Sequence, residues 1–171
     1  TSTKDAMYTL LSGYVHVRKS DKSFNSEIGV PLTIIGCPNA WNSVIGWFKN
    51  IMHGLDVLFS KGSYPRYLVL ELGTDRPGDI EEITKWLKLD IAVINKISEV
   101  PVHVEFFGGR AELVKEKKNL IKALKKDGTL ILYGDSPEIR DFKPENGQRV
   151  IHYGFDSESL EGKTKELVLG S

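Results

Sequence analysis

The sequence is short of the features that mark most specialised classes of protein. It has one cysteine, Cys37, so no intrachain disulfide can form, which excludes a disulfide-stapled fold. It has no excess of charge. Lys and Arg total 23, Asp and Glu total 23, and the formal net charge is zero. That balance argues against a broad nucleic-acid or anionic-membrane footprint, while leaving room for a local basic patch. No apolar run approaches the length of a membrane span, no signal-peptide pattern opens the chain, and there is no internal repeat or low-complexity segment. What remains is an ordinary globular composition of 171 residues, 40% hydrophobic and 27% charged, enough for one domain with a real core.

The pattern along the chain is that of an α/β protein. Met7, Leu10 and Leu11 recur at helical spacing and Gly13 supplies a stop. Residues 14–18 alternate like a strand, and Pro31 suits the first turn of a short helix after Gly29. The longest helical candidate is 39–60, where Trp41, Val44, Ile45, Phe48, Ile51, Met52, Leu55 and Phe59 keep steps of three and four. That stripe reads as core or as an interdomain surface. Strands are expected at 67–72, 91–94, 129–133 and 150–153, with helices at 78–88 and 111–126 between them. Strands alternating with helices imply a mostly parallel sheet flanked by helices, joined by right-handed crossovers. Residues 1–155 are expected to form one domain, and 156–171 a polar tail or the start of a linker.

Two charged residues interrupt this pattern. Glu71 ends the apolar run Tyr67-Leu68-Val69-Leu70 and precedes Gly73 and the Pro77-Gly78 turn. A carboxylate at the carboxyl end of a buried parallel strand is placed where open α/β sheets take ligands, and a hard oxygen donor suits Mg²⁺. The alternative reading is a strand-end carboxylate that caps the next helix or faces water. On a helical wheel with 100° per residue, Lys117 falls among Leu113, Val114, Leu120, Ile121 and Leu124, whereas Lys115, Lys118 and Lys122 fall outside that sector. A lysine aimed at the core side either snorkels to water or loses its proton, and a neutral amine can be carbamylated by CO₂ into an oxygen ligand.

Five segments, in this order, resemble the ATP-binding central domain of the Mur ligase family: Thr1-Ser2-Thr3-Lys4-Asp5, Phe24-Asn25-Ser26-Glu27-Ile28-Gly29-Val30-Pro31-Leu32, Leu68-Val69-Leu70-Glu71-Leu72-Gly73, His103-Val104-Glu105-Phe106-Phe107-Gly108 and Glu116-Lys117. The resemblance implies a P-loop NTPase-like fold, ATP and Mg²⁺ as cofactors, and a cytoplasmic reaction. An acyl phosphate would form on the carboxylate of a UDP-muramoyl peptide and be attacked by an amine such as D-Ala-D-Ala. It implies that Thr1, Glu71, His103 and a carbamylated Lys117 hold metal. Lys117, Glu71 and His103 would serve catalysis, and Thr1, Ser2, Asn25 and Asp135 would line the nucleotide cleft. Read without the resemblance, Asn25 is an Asx-turn residue and His103 a satisfied structural imidazole.

The sequence also departs from the family pattern. It begins at the last position of Gly-x-x-x-x-Gly-Lys-[Ser/Thr], so the phosphate-cradling glycines and lysine are not in it. Ser23 stands for the first Asn of Asn-x-Asn, and Tyr133-Gly134-Asp135-Ser136-Pro137 stands for Asn-x-Asp-Asp-Pro. The loop before His103 is longer than usual. The expectation is therefore a central ligase domain that is inactive alone. Its alternatives are a binding or scaffolding module with a degenerate nucleotide site, and a related ligase acting on folate or a polyamino acid.

Overall fold

Parallel strand pairing organises the molecule. The structure, a computed structural model, describes residues 2–21, 24–59, 62, 64–97, 107–144 and 146–155. They belong to two compact units, Thr1–Thr74 and Asp75–Ser171.

In the first unit, helix α1 (Ser2–Ser12) leads to strand β1 (Val17–Lys19), which pairs in parallel with β2 (Tyr67–Val69), Val17 opposite Tyr67 and Lys19 opposite Val69. Between them lie α2 (Gly29–Ile35) and α3 (Val44–Phe59). Pro31 sits in the first turn of α2, where its missing N–H costs nothing. The helix ends at Gly36, whose φ of 78° is the left-handed region that glycine enters freely. The Arg18 guanidinium covers that end, donating to the carbonyls of Thr33 at 3.3 Å and Ile34 at 2.7 Å. A cation there complements the helix dipole.

Helix α3 starts later than its apolar stripe. Asn39 Oδ1 accepts the Trp41 N–H at 2.9 Å and forms a turn, and Ser43 Oγ accepts the Gly46 N–H at 3.0 Å and caps the first helical turn. Its stripe is not core: every large apolar residue of the stripe is exposed, and the one buried residue of the helix is Asn50. Asn50 Nδ2 donates to Pro38 O at 2.8 Å, and Asn50 O accepts from the buried Cys37 thiol at 3.8 Å. Burial holds that thiol above its ordinary pKa.

The second unit is built on strands β3 (Leu89–Ile94), β4 (Leu124–Tyr133) and β5 (Arg149–Tyr153), all parallel, with β4 central. Helix α4 (Asp79–Thr84) precedes β3, α5 (Arg110–Lys118) and a 3₁₀ turn (Asn119–Ala123) precede β4, and α6 (Pro137–Arg140) precedes β5. Leu130 and Leu132 on β4 are fully buried and pack with Ala92, Ile94, Leu113, Ile121, Ile139 and Phe142.

The α/β class and the parallel pairing agree with the sequence reading. The expected sheet divides, among the described residues, into a two-stranded and a three-stranded part. The helix expected over 111–126 stops at Lys118, because Leu124 pairs with Leu89 and begins the strand. Burying that leucine in the sheet outweighs extending a helix through Lys125, Lys126 and Asp127, which are exposed. Strand β2 is shorter than 67–72, so Glu71 lies two residues past its end.

Candidate functional site

The first unit gathers its charged groups beyond the carboxyl ends of β1 and β2. Ser20, buried just after β1, donates its N–H to Val69 O at 3.1 Å, and its Oγ accepts the Glu71 N–H at 3.1 Å. These bonds carry the pairing past the last residue of β2 and fix the Glu71 backbone. Lys4, one turn into α1 and only 5% exposed, brings Nζ to 3.1 Å from Glu71 Oε2, an ion pair although off the line of a hydrogen bond. Beside it Asp5 Oδ1 accepts from Lys19 Nζ at 2.5 Å, and that hydrogen bond holds the Asp5 carboxyl below its ordinary pKa. Lys19 also lies over the Tyr8 ring, 4.9 Å from its centroid. Asn25 O accepts the Gly73 N–H at 2.9 Å, and the Asn25 carboxamide occupies the space a Cβ on residue 73 would need. Only glycine allows that approach.

In the second unit α5 presents Leu113, Glu116 and Lys117 inward to different depths. Lys117 is half-buried, and desolvation lowers its pKa, favouring the neutral amine. Glu116 is deeper, 6% exposed, and satisfied: Oε1 accepts the N–H groups of Ile80 at 2.7 Å and Glu81 at 3.2 Å, and Oε2 accepts from Asn119 Nδ2 at 3.1 Å. The residue before α4 is Gly78, which has no side chain to cap the helix, so the cap comes from α5 instead. Glu116→Ala is expected to lower the unfolding free energy by about 2 kcal/mol, since two backbone donors lose a charged acceptor, with Glu116→Gln losing about half as much. Urea denaturation of the three proteins reads this directly.

The carboxyl ends of β3, β4 and β5 are tied together by polar and aromatic groups. Asp135, after β4, accepts the Phe155 N–H through Oδ2 at 2.8 Å, with Gly154 leaving room for its carboxylate. Tyr133 and Tyr153 meet edge to face with centroids 5.5 Å apart, and the Tyr153 hydroxyl donates to Asn95 Oδ1 at 2.7 Å. Burial raises the pKa of both tyrosines.

Of the residues expected at a site, Ser2 opens α1, the helix whose Lys4 reaches Glu71, and Asn25 packs on Gly73 two residues after Glu71. Lys117 and Asp135 belong to the second unit. Thr1 and His103 lie outside the described residues. Among the described residues no three His, Cys, Asp or Glu side chains cluster as a metal site. Lys4, Ser20 and Glu116 had not been singled out as site residues. Lys4 was detectable: on the α1 wheel it falls within about 20° of Leu11, on the apolar stripe.

Parallel α/β units with charged and polar side chains gathered past their strand ends define a class that takes nucleotides and other ligands at that edge. The Mur ligase middle domain profile matches residues 50–169, and the chain belongs to that family. It is 30% identical over 141 residues to the UDP-N-acetylmuramoyl-tripeptide–D-alanyl-D-alanine ligase of Bacillus subtilis (strain 168), covering 82% of this chain and 25% of that protein. The Haemophilus influenzae protein of the same name is 27% identical, covering 77% of this chain and 23% of that protein. Among solved structures, the MurF ligase of Thermotoga maritima in complex with ADP superposes with a TM-score of 0.64 at 26% identity, covering 90% of this chain and 30% of that one. The chain thus spans about a quarter of the length of these relatives.

Proposed function

We propose that this chain is the ATP-handling middle portion of a cytoplasmic ligase of peptidoglycan-precursor synthesis. That ligase activates the carboxylate of a UDP-muramoyl peptide as an acyl phosphate and couples it to an amine, D-Ala-D-Ala being the amine named for its relatives. The observation that carries this reading is the desolvated Lys117 on α5 of a Mur ligase middle domain. Lowering its pKa enlarges the fraction of free amine. CO₂ adds to that amine, an N–C bond forms, a proton leaves, and the cation becomes an anionic oxygen donor.

The family resemblance calls for a magnesium nucleotide, and Glu71 past the end of β2 offers a hard oxygen donor of the kind it needs. Mg²⁺ is commonly held by one or two carboxylates together with phosphate oxygens and water, so no dense protein cluster is needed. The resemblance assigns its holding to Glu71, Thr1, His103 and a carbamylated Lys117. The bound ion would neutralise phosphate charge, the main requirement of phosphoryl transfer. The chain's own contributions are those of orientation. Ser20 and Lys4 hold Glu71 past the end of β2, Asn25 and Gly73 shape the adjoining turn, and Asp135 steadies the β4–β5 end where the base would lie.

Nucleotide affinity tests the reading. A protein in which this chain follows a complete Gly-x-x-x-x-Gly-Lys segment is expected to bind MgATP with a Kd between about 1 μM and 1 mM, the range usual for enzyme substrates. Isothermal calorimetry showing no binding would leave the scaffold as the better account.

A further inference from the structure

The carboxylate past the end of β2 already has a cation. Lys4 Nζ stands 3.1 Å from Glu71 Oε2, and the lysine side chain is 5% exposed against 21% for the glutamate. Both ends of the contact are held by the fold. Ser20 Oγ fixes the Glu71 backbone at 3.1 Å, and Lys4 is the third residue of α1. An ammonium buried this deeply needs an anion, because an uncompensated charge away from water is costly. Asp5, the next residue of α1, carries a carboxylate that is already engaged: its Oδ1 accepts from Lys19 Nζ at 2.5 Å.

We propose that Lys4 is an exchangeable counter-ion, which neutralises Glu71 while the site is empty and passes to a nucleotide phosphate when a divalent cation takes the carboxylate. This rests on the reading of Glu71 as a metal ligand given above, and adds to it a coupling between metal and phosphate. A carboxylate in contact with an ammonium is partly neutralised, so a dication must displace that ammonium or bear its repulsion. A displaced Lys4 does not simply turn to water, because its side chain is enclosed. It needs a new anion near the start of α1, and a helix start favours phosphate through its free N–H groups and its dipole. Lys4 is not the lysine of Gly-x-x-x-x-Gly-Lys, which comes before Thr1 in the family pattern, so it adds a second positive charge there. Metal and phosphate are thus linked through one side chain. The metal frees the ammonium that the phosphate needs, and the phosphate removes the ammonium that the metal must displace.

The test uses the protein in which this chain follows a complete Gly-x-x-x-x-Gly-Lys segment, with Mn²⁺ alone and metal-free ATP in EDTA as separate probes. Lys4→Met is expected to tighten the binding of Mn²⁺ alone at least about tenfold, read by paramagnetic resonance of the free ion, because a competing cation is gone. The same substitution is expected to weaken metal-free ATP at least about tenfold by calorimetry, because a charged partner of the phosphates is gone. A lysine that merely supports the fold would move both affinities in one direction. The unsubstituted protein decides the matter even if Lys4→Met misfolds. Acetylation of Lys4 by acetic anhydride, followed by mass spectrometry, is expected to be slow in the empty protein, at least about fivefold faster in saturating Mn²⁺, and slow again once ATP is added. Affinities that stay unchanged or fall together, or Lys4 labelling that Mn²⁺ does not alter, would overturn the exchange and leave Glu71 a ligand. Mn²⁺ binding that survives Glu71→Gln unchanged would instead remove the metal reading itself, and the exchange with it.

Discussion

Lys117→Ala is expected to lower the kcat of ATP-dependent ligation by about 10²- to 10³-fold, the scale on which a single transition-state electrostatic partner acts. Lys117→Arg should not restore it. A guanidinium keeps its charge at any working pH and cannot take up CO₂, so the site would hold a cation where we propose a carbamate. Labelling with ¹³C-bicarbonate gives the independent readout: a carbamate resonance in the parent protein that both substitutions remove. A resonance that survives Lys117→Ala, or unchanged turnover, would remove this residue from the mechanism. The same desolvation sets a pH trend in stability. The folded chain releases the Lys117 proton at lower pH than the unfolded chain, whose lysine titrates near the ordinary 10.5. Between those two values the unfolded state binds more protons, so this residue's contribution to stability rises with pH across the window and flattens above it.

Glu71→Ala carries the second large effect, and it falls on folding as well as on binding. The substitution leaves the Lys4 ammonium, 5% exposed, without the carboxylate 3.1 Å away. Breaking a buried ion pair from one side costs about 3 to 5 kcal/mol, and the lower figure applies because Glu71 itself keeps a fifth of its side chain in contact with water. Removing both charges, Lys4→Met with Glu71→Ala, should recover much of that loss. Glu71→Gln keeps the shape but removes the charge, and it is expected to weaken MgATP binding at least about tenfold in the P-loop-bearing protein. Urea melts of the single and double variants, with calorimetric titration of Glu71→Gln, separate the structural role from the metal role. Additive losses for Lys4 and Glu71 would show that the pair is not coupled.

Patterns that repeat over many residues were legible in the sequence. The runs at 91–94 and 129–133 became paired strands of the parallel sheet, and Pro31 lies in the first turn of α2 as its backbone chemistry requires. What escaped was decided by single contacts between distant residues. Leu124 reads as helix until Leu89 is available to pair with it. Glu116 reads as one more charge on a lysine-rich helix until the uncapped start of α4 is seen against it. The stripe on α3 was read correctly as apolar, but periodicity says only that a helix has two sides. Which side turns inward was settled by the burial of Asn50 and its bond to Pro38. At the candidate site, Glu71 was visible as a carboxylate ending an apolar run, whereas its counter-ion sits 67 positions earlier and announces itself only on the wheel of α1.

The carboxylate of Glu116 has a mechanical corollary. Because it holds the first turn of α4 from the body of α5, neither helix can fray at that point without stranding the other's polar groups away from water. The two helices should therefore open and reclose as a single cooperative foldon. Slow amide exchange at Ile80 and at Lys117 would then report one shared opening event, and Lys117 would inherit its rigidity from a helix on which it does not lie.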